Sequence, residues 1–363
     1  MSSAVDEAAD GNRRNVSDAL GATVLGACAV WSLVTAAVHG GRPEGVLLAV
    51  LAVAAGYAAG RITGVLLPVA APGAGALAGL ALTVTVPGLG PGPEIAAPLG
   101  HAGGTAAVLT LSAGAACCAA WATPVPALRL ALRLLAAGVA VTAALLDSTT
   151  GVVTCCAVLL CSLAAGRMRH RGPALAAWVV AAALVTGMSW AVAGNALPGT
   201  LNGSLTGQLT PHRVDLWRDA LGMFRRQSVF GVGPGRFGEL SATAAQSTPS
   251  DDKPHSATLQ TAAEQGAVGL LLLSAVFCWV LSALWRSRRP TPVVLTAGAT
   301  LTAVGAVAAV GNALSFTTVS VGAGLLAGLA TALPLAAEPA APATPGAPSP
   351  YERDLHHGDR PTA

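Results

Sequence analysis

The stretch PALAAWVVAAALVTGMSWAVA, residues 173–193, contains no charged residue. About 20 residues of helix cross the hydrocarbon layer of a bilayer, where no water is present to pair with the backbone, so a run of this length and composition reads as a spanning helix. It is one of a series. Comparable runs lie at about 20–38, 45–60, 64–87, 105–123, 127–147, 149–166, 267–285, 293–311 and 316–335. Of the 363 residues, 53% are hydrophobic and 10% are charged, whereas an ordinary soluble domain carries about 25% charged residues. The pattern predicts an all-α polytopic membrane protein with about ten transmembrane helices.

Charge placement gives the orientation. The basic residues are nineteen Arg and one Lys, and Ala and Gly are abundant, as in a GC-rich bacterial genome. With the N-terminus in the cytoplasm, the short inner segments hold Arg13, Arg14, Arg61, Arg129, Arg133, Arg167, Arg169, Arg171, Arg286, Arg288 and Arg289, and the short outer loops hold only Arg42. That asymmetry follows the positive-inside rule. Arg129 and Arg133, near the start of the fifth run, are expected to snorkel to the inner surface. The expected organisation is a cytoplasmic segment 1–19 leading into an uncleaved signal anchor, seven spans over 20–193, an extracytoplasmic loop 194–266 with short helices, three spans over 267–335, and a disordered cytoplasmic Ala/Pro-rich tail 336–363. The expected location is the bacterial plasma membrane. A net charge of +3 does not suggest a nucleic-acid partner. The seven cysteines fall inside predicted spans without CxxC spacing and read as packing residues, with no disulfide framework, metal or cofactor expected.

The long outer loop is where chemistry is expected. Residues 213–226 read as an amphipathic helix lying along the membrane surface, with Val214, Leu216, Trp217, Leu221 and Phe224 clustered and the arginines and aspartates facing water. Gly231-Val232-Gly233-Pro234-Gly235 must be a tight turn, and a helix is expected from about His255 through Glu264. Gly233 to Gly238 formally fits GxGxxG, but it lacks the strand and helix of a dinucleotide site. Asn202-Gly203-Ser204 is a glycosylation sequon by letters only, and neither His101 nor His212 has supporting neighbours.

The informative spacing is Arg213-x3-Trp217, then Gly231-Val232-Gly233 closing on Phe237, then His255-Ser256, nine residues, and Gly266-x2-Gly269 entering a span. At residues 211–285 the chain resembles the O-antigen ligase family, which includes lipopolysaccharide O-antigen ligases and related polysaccharide polymerases. The resemblance implies transfer of a glycan from undecaprenyl diphosphate to an acceptor hydroxyl on the outer side of the membrane, without a metal. His255 would be the catalytic base and Arg213 would hold the diphosphate. The family's Ser-Arg-Gly-like stretch corresponds here to Asp147-Ser148-Thr149-Thr150-Gly151, which has no arginine.

The chemistry is coherent on its own terms. A lipid-linked diphosphate leaves once its charge is neutralised, and guanidinium forks bind phosphate oxygens. An acceptor hydroxyl needs a base, which a neutral imidazole supplies. Arg218 and Arg236 are further candidates for binding substrate, as is Trp217, whereas Arg225 and Arg226 read as solvated. Glu264 either orients His255 or marks the water boundary. Gly231 and Gly233 form the turn, and Gly266 and Gly269 would admit a neighbouring helix or a lipid headgroup close to the backbone. The expected partners are a lipid-linked glycan donor, a glycan or lipid acceptor, and membrane lipids. Two other readings are a small-molecule transporter, which repeated halves would favour, and a noncatalytic partner in envelope assembly.

Overall fold

Among the described residues every regular element is helical. The computed structural model describes residues 2–85, 102–196, 211–246 and 253–332, with side chains from Val16 onward. His101, the Asn202 sequon and the 336–363 tail lie outside them. The α-helices are α1 (Ser2–His39), α2 (Glu44–Leu66), α3 (Ala70–Thr85), α4 (Ala102–Ala122), α5 (Pro126–Leu145), α6 (Thr149–Ala165), α7 (Gly172–Ala193), α8 (Pro211–Arg226), α9 (Phe237–Leu240), α10 (Ala242–Gln246), α11 (Ala257–Arg286), α12 (Thr291–Val310) and α13 (Thr317–Thr331). A 3-10 turn, Ala313–Ser315, separates the last two.

Among the described residues seven helices are long and apolar enough to cross a membrane: α1 from Val16, α2, α4 from Gly103, α5, α7, α11 and α12. The helices α3, α6 and α13 are apolar but shorter. Near the N-terminus two boundaries differ from the expected ones. α1 continues back through the polar segment to Ser2. α2 runs on to Leu66, and the break before α3 falls at Leu67–Val69 around Pro68, whose missing amide cannot continue a helix. Apolar residues on both sides of that break hid it from hydropathy.

The helices are not equivalent. Within their apolar windows 83% of α4 and 78% of α12 are buried, against 17% of α2 and α7. Small side chains make this possible, because α4 is almost entirely Ala, Gly, Ser, Thr and Cys and can be surrounded closely. Hydroxyls join the layers: Thr110 and Thr154 meet at 2.6 Å, and Ser162 accepts from Trp121 Nε1 at 3.0 Å and lies 3.1 Å from Thr296. Cys117, Cys118 and Cys155 pack in this interior, whereas Cys156 and Cys278 face outward with the exposed leucines and valines of the rim.

The pair α2 and α13 touches backbone to backbone. A Cβ on Gly60 would sit 2.2 Å from Leu325 O, and one on Gly328 would sit 2.2 Å from Tyr57 O. Gly56 and Gly324 meet the opposite backbones in the same way. Below this contact, the arginines at one end of the bundle bind helix ends rather than only facing water. Arg289, 5% exposed, donates to Ala332 O and Gly64 O, and Arg171 donates to Ser287 O, Arg289 O and Thr291 Oγ1. Exposed carbonyls at helix C-termini carry partial negative charge, which these cations neutralise. Arg61 joins the same end through Asp18 at 2.9 Å. Arg129 donates to Thr123 O, and Arg133 lies over the Trp121 ring at 5.1 Å.

Replacing Gly60 or Gly328 by Ala should lower thermal stability by about 1–3 kcal/mol or more, since neither backbone can retreat without separating the pair. Gly26→Ala, where nothing lies within 4 Å, is the neutral control. Unfolding of the purified protein in neutral detergent measures this, and equal midpoints for all three would contradict the packing.

Candidate active site

The site is organised around a break in α11. Gly266 has φ 69 and ψ −163, a conformation essentially confined to glycine. Four backbone groups that would pair within the helix are redirected. Ala267 N donates to Ser228 O at 2.7 Å, Val232 N to Ala263 O at 2.8 Å, Gly233 N to Glu264 O at 2.9 Å, and Trp31 Nε1 to Gln265 O at 3.0 Å. The segment 228–233 is thus threaded into the break, and Trp31 of α1 stacks on Phe230 with ring centroids 5.3 Å apart. A Cβ on Gly266 would lie 2.1 Å from Val229 O, and one on Gly231 would lie 2.4 Å from the carbonyl carbon of Glu264. The close approach expected at Gly266 is therefore made by the loop's own backbone. At Gly269 the neighbours are Gln265 and Thr261, one and two turns back in the same helix. The stretch from Ala267 to Arg286 is by itself about long enough to cross a bilayer, which leaves Ala257–Gln265 as part of the loop.

The Gly-rich turn is held from below by Glu264. Its carboxylate, 4% exposed, accepts hydrogen bonds from the backbone of Gly235 and Phe237 and from Gln260 Nε2. Burial pushes this carboxyl up to about 7, a rise that those hydrogen bonds and the charge of Lys253 oppose without cancelling it. Arg236, a candidate for binding substrate, donates from Nη1 to His39 O at 2.7 Å and pairs with Glu239. Arg42 N donates to Pro234 O at 2.7 Å. The turn is therefore docked on the corner between α1 and α2.

The helix α8 is amphipathic as expected, but it packs into the protein. Val214, Leu216, Trp217, Ala220, Leu221 and Met223 form a small core with residues of α7, the turn, α10 and α11. Phe224 meets Trp190 edge-on at 5.5 Å. Asp219 holds α10 in place by accepting from Ser241 Oγ at 2.6 Å and Thr243 N at 3.1 Å. Burial alone would raise the Asp219 carboxyl, but these bonds and nearby Arg226 bring it below its usual value.

Arg213 departs from the amphipathic pattern. It is 3% exposed, and Nη1 donates to Val310 O at 3.2 Å, at the last residue of α12. Arg213 and Arg289 are the buried arginines among the described residues, at opposite ends of the bundle. By contrast, Arg218 is exposed and pairs with Asp215 at 2.9 Å, while Arg225 and Arg226 face solvent. Trp217, 1% exposed, packs at the centre of the small core. Its Nε1 and the buried Oδ1 of Asn312 have no hydrogen-bond partner among the described residues. Asn312 follows Val310 by two positions and abuts Gly103 at the start of α4. The motif did not include Asn312, although a lone amide between two apolar runs is itself a signal.

His255 adopts φ 51, a left-handed backbone uncommon for a side chain other than Asn, Asp or His. It lies just before Ser256, whose hydroxyl caps α11 by accepting from Leu259 N at 3.4 Å. The helix thus begins at Ala257, not at His255. Leu259 and Ala263 share the small core with Val214 and Trp217, so the segments carrying His255 and Arg213 rest on one support. The turn at Asp147 and Ser148 is a helix start, with Ser148 Oγ accepting from Gly151 N at 3.2 Å.

Residues 132–274 match the family model described as O-antigen ligase. The match begins well before the 211–285 stretch and takes in every motif residue from Arg213 to Gly269. With seven helices able to span a membrane, it supports a bacterial membrane enzyme of polysaccharide assembly. No curated protein and no solved structure matches the chain.

Two outcomes follow from the break. Gly266→Ala should prevent the loop from docking and abolish accumulation of folded protein, whereas Gly187→Ala, in open space, should be tolerated. The second concerns pH. In the folded chain Glu264 keeps its proton to about pH 7, while the unfolded chain releases it near 4.5. Stability therefore falls as pH rises between those values, by about 3 kcal/mol, and then levels off. Glu264→Gln should flatten that slope in thermal melts; an unaltered slope would assign it to another group.

Proposed function

We propose that this chain is a membrane glycan transferase of the ligase or polymerase kind, moving a glycan from an undecaprenyl-diphosphate carrier to an acceptor hydroxyl during cell-surface polysaccharide assembly. The observation that carries this reading is Arg213. It is a loop arginine, 3% exposed, whose guanidinium reaches the last carbonyl of α12, one of the two central helices. A guanidinium fork held at a helix end is suited to binding the oxygens of a diphosphate.

In the proposed reaction the acceptor oxygen attacks the anomeric carbon, and the bond from that carbon to the diphosphate oxygen breaks. The acceptor proton passes to a ring nitrogen of His255, and Arg213 stabilises the charge that builds on the departing diphosphate. Ser256 and the positive-φ backbone hold His255 at the mouth of α11, and Glu264 positions the turn beneath. The loop bearing these groups is proposed to lie outside the cytoplasm, with both termini inside. The arginine-bound helix ends at the opposite end of the bundle support that orientation. A second reading, a noncatalytic envelope-assembly homologue, is favoured by the Asp147–Gly151 turn, which has no arginine. The transporter reading has less support, because the site residues gather in one loop rather than near the middle of the spans.

A strain lacking the gene, complemented with wild type or His255→Ala, separates these readings through its surface polysaccharide profile. Restoration by wild type alone supports transferase chemistry, with the variant down by roughly 10²- to 10⁴-fold. Restoration by both would leave the noncatalytic role. Arg213→Gln should weaken use of the lipid-linked donor far more than Arg226→Gln does, and equal effects would remove Arg213 from the site.

A further inference from the structure

The opposite end of the bundle carries a concavity that the transferase reading leaves unused. Its volume is about 690 Å³, and it is lined by Arg169, His170, Arg171, Gly172, Pro173 and Trp285. One wall is the short turn between α6 and α7; the other is the last turn of α11. The floor is rigid, because Arg171 is bound to Ser287 O, Arg289 O and Thr291 Oγ1 across the α11–α12 turn. Arg169 and His170 are exposed on one side, and Trp285, 64% exposed, stands on the other with exposed Arg286 next to it.

Three features point to an occupant. The site lies where two spanning helices, α7 and α11, end, which is the depth of lipid headgroups. No acidic residue occurs between Asp147 and Asp215 or between Glu264 and Glu338, so neither wall can neutralise its own cations. Asp18, the described acid at this end, is paired with Arg61. An exposed indole at the end of a span suits the boundary between acyl chain and headgroup.

We propose that this concavity binds the phosphate headgroup of an anionic phospholipid in the leaflet at that end. The phosphate lies between Arg169 and His170, and Trp285 covers the glycerol and upper acyl chain. Scattered basic residues at a membrane face attract anionic lipid without selecting a place. An open, shallow cationic recess with Arg171 tied down beneath it and an indole at its edge favours one lipid at that position.

The test uses the full chain, purified in neutral detergent, with phosphatidylglycerol or phosphatidylcholine of identical acyl chains added and retention read by native mass spectrometry. Wild type should retain phosphatidylglycerol roughly fivefold or more over phosphatidylcholine. Arg169→Gln/His170→Gln should lose that preference while keeping its thermal midpoint, since neither side chain binds the helix ends. Trp285→Ala should lower retention of both lipids. Equal retention of the two lipids by wild type, or an unchanged preference in the double variant, would overturn the proposal. Displacement of the lipid by millimolar inorganic phosphate would also overturn it, by making the site one for a soluble anion. Because no glycan transfer is measured, these outcomes are independent of the transferase reading.

Discussion

A helix inside a membrane protein can be interrupted only if something else pairs with the backbone groups set free, and in this chain that requirement governs the whole loop. The break at Gly266 exposes Ala263 O, Glu264 O, Gln265 O and Ala267 N, and each is taken by the segment 228–233 or by Trp31. Unpaired, each group would cost several kcal/mol in an apolar setting. The loop is consequently part of the bundle's hydrogen bonding. Gly231 and Gly266 then share one cause, close contact of two backbones at a point where a Cβ would collide, whereas Gly233 takes φ 101 against the His39 side chain. Glu264, buried beneath the turn, and Arg236, bound to the α1 corner, serve the same docking from other directions.

Two buried arginines show how one kind of group takes different roles at the two ends of the molecule. Arg289 donates to carbonyls at the ends of α2 and α13 and so joins the glycine-packed pair to the rest of the bundle. Arg213 also reaches a helix C-terminus, that of α12, but from a loop helix. The first arrangement is consistent with structural use alone. The second is the arrangement that the proposed transferase would use, a preorganised cation favouring charge that develops during reaction. His255 adds a side chain held on a left-handed backbone at the start of α11, on the core that also supports Arg213.

Membrane class, the apolar helices and the location of the motif were legible from residue order alone, because hydrophobic length and charge asymmetry act locally along the chain. The amphipathic face of α8 was legible for the same reason. The start of α11 was misplaced by two residues, since the capping role of Ser256 depends on a hydroxyl reaching Leu259 N rather than on hydropathy. The fate of individual polar side chains was not legible. Arg213, Arg218 and Arg236 look alike in a loop, yet one is buried at a helix end, one pairs with Asp215 in solvent, and one holds the turn to α1.

Composition and pattern by themselves determined that this chain is built from membrane helices, which of its segments are apolar, and which short stretch holds the spaced Arg, Trp, Gly and His residues. Only the tertiary structure decided that α4 and α12 form the interior, that α2 and α13 meet through glycines, and that Gly266 opens α11 to receive the loop. These are contacts between residues distant in sequence, set by the shapes of both partners and by the need to pair every buried backbone group. No periodicity within a single segment encodes them.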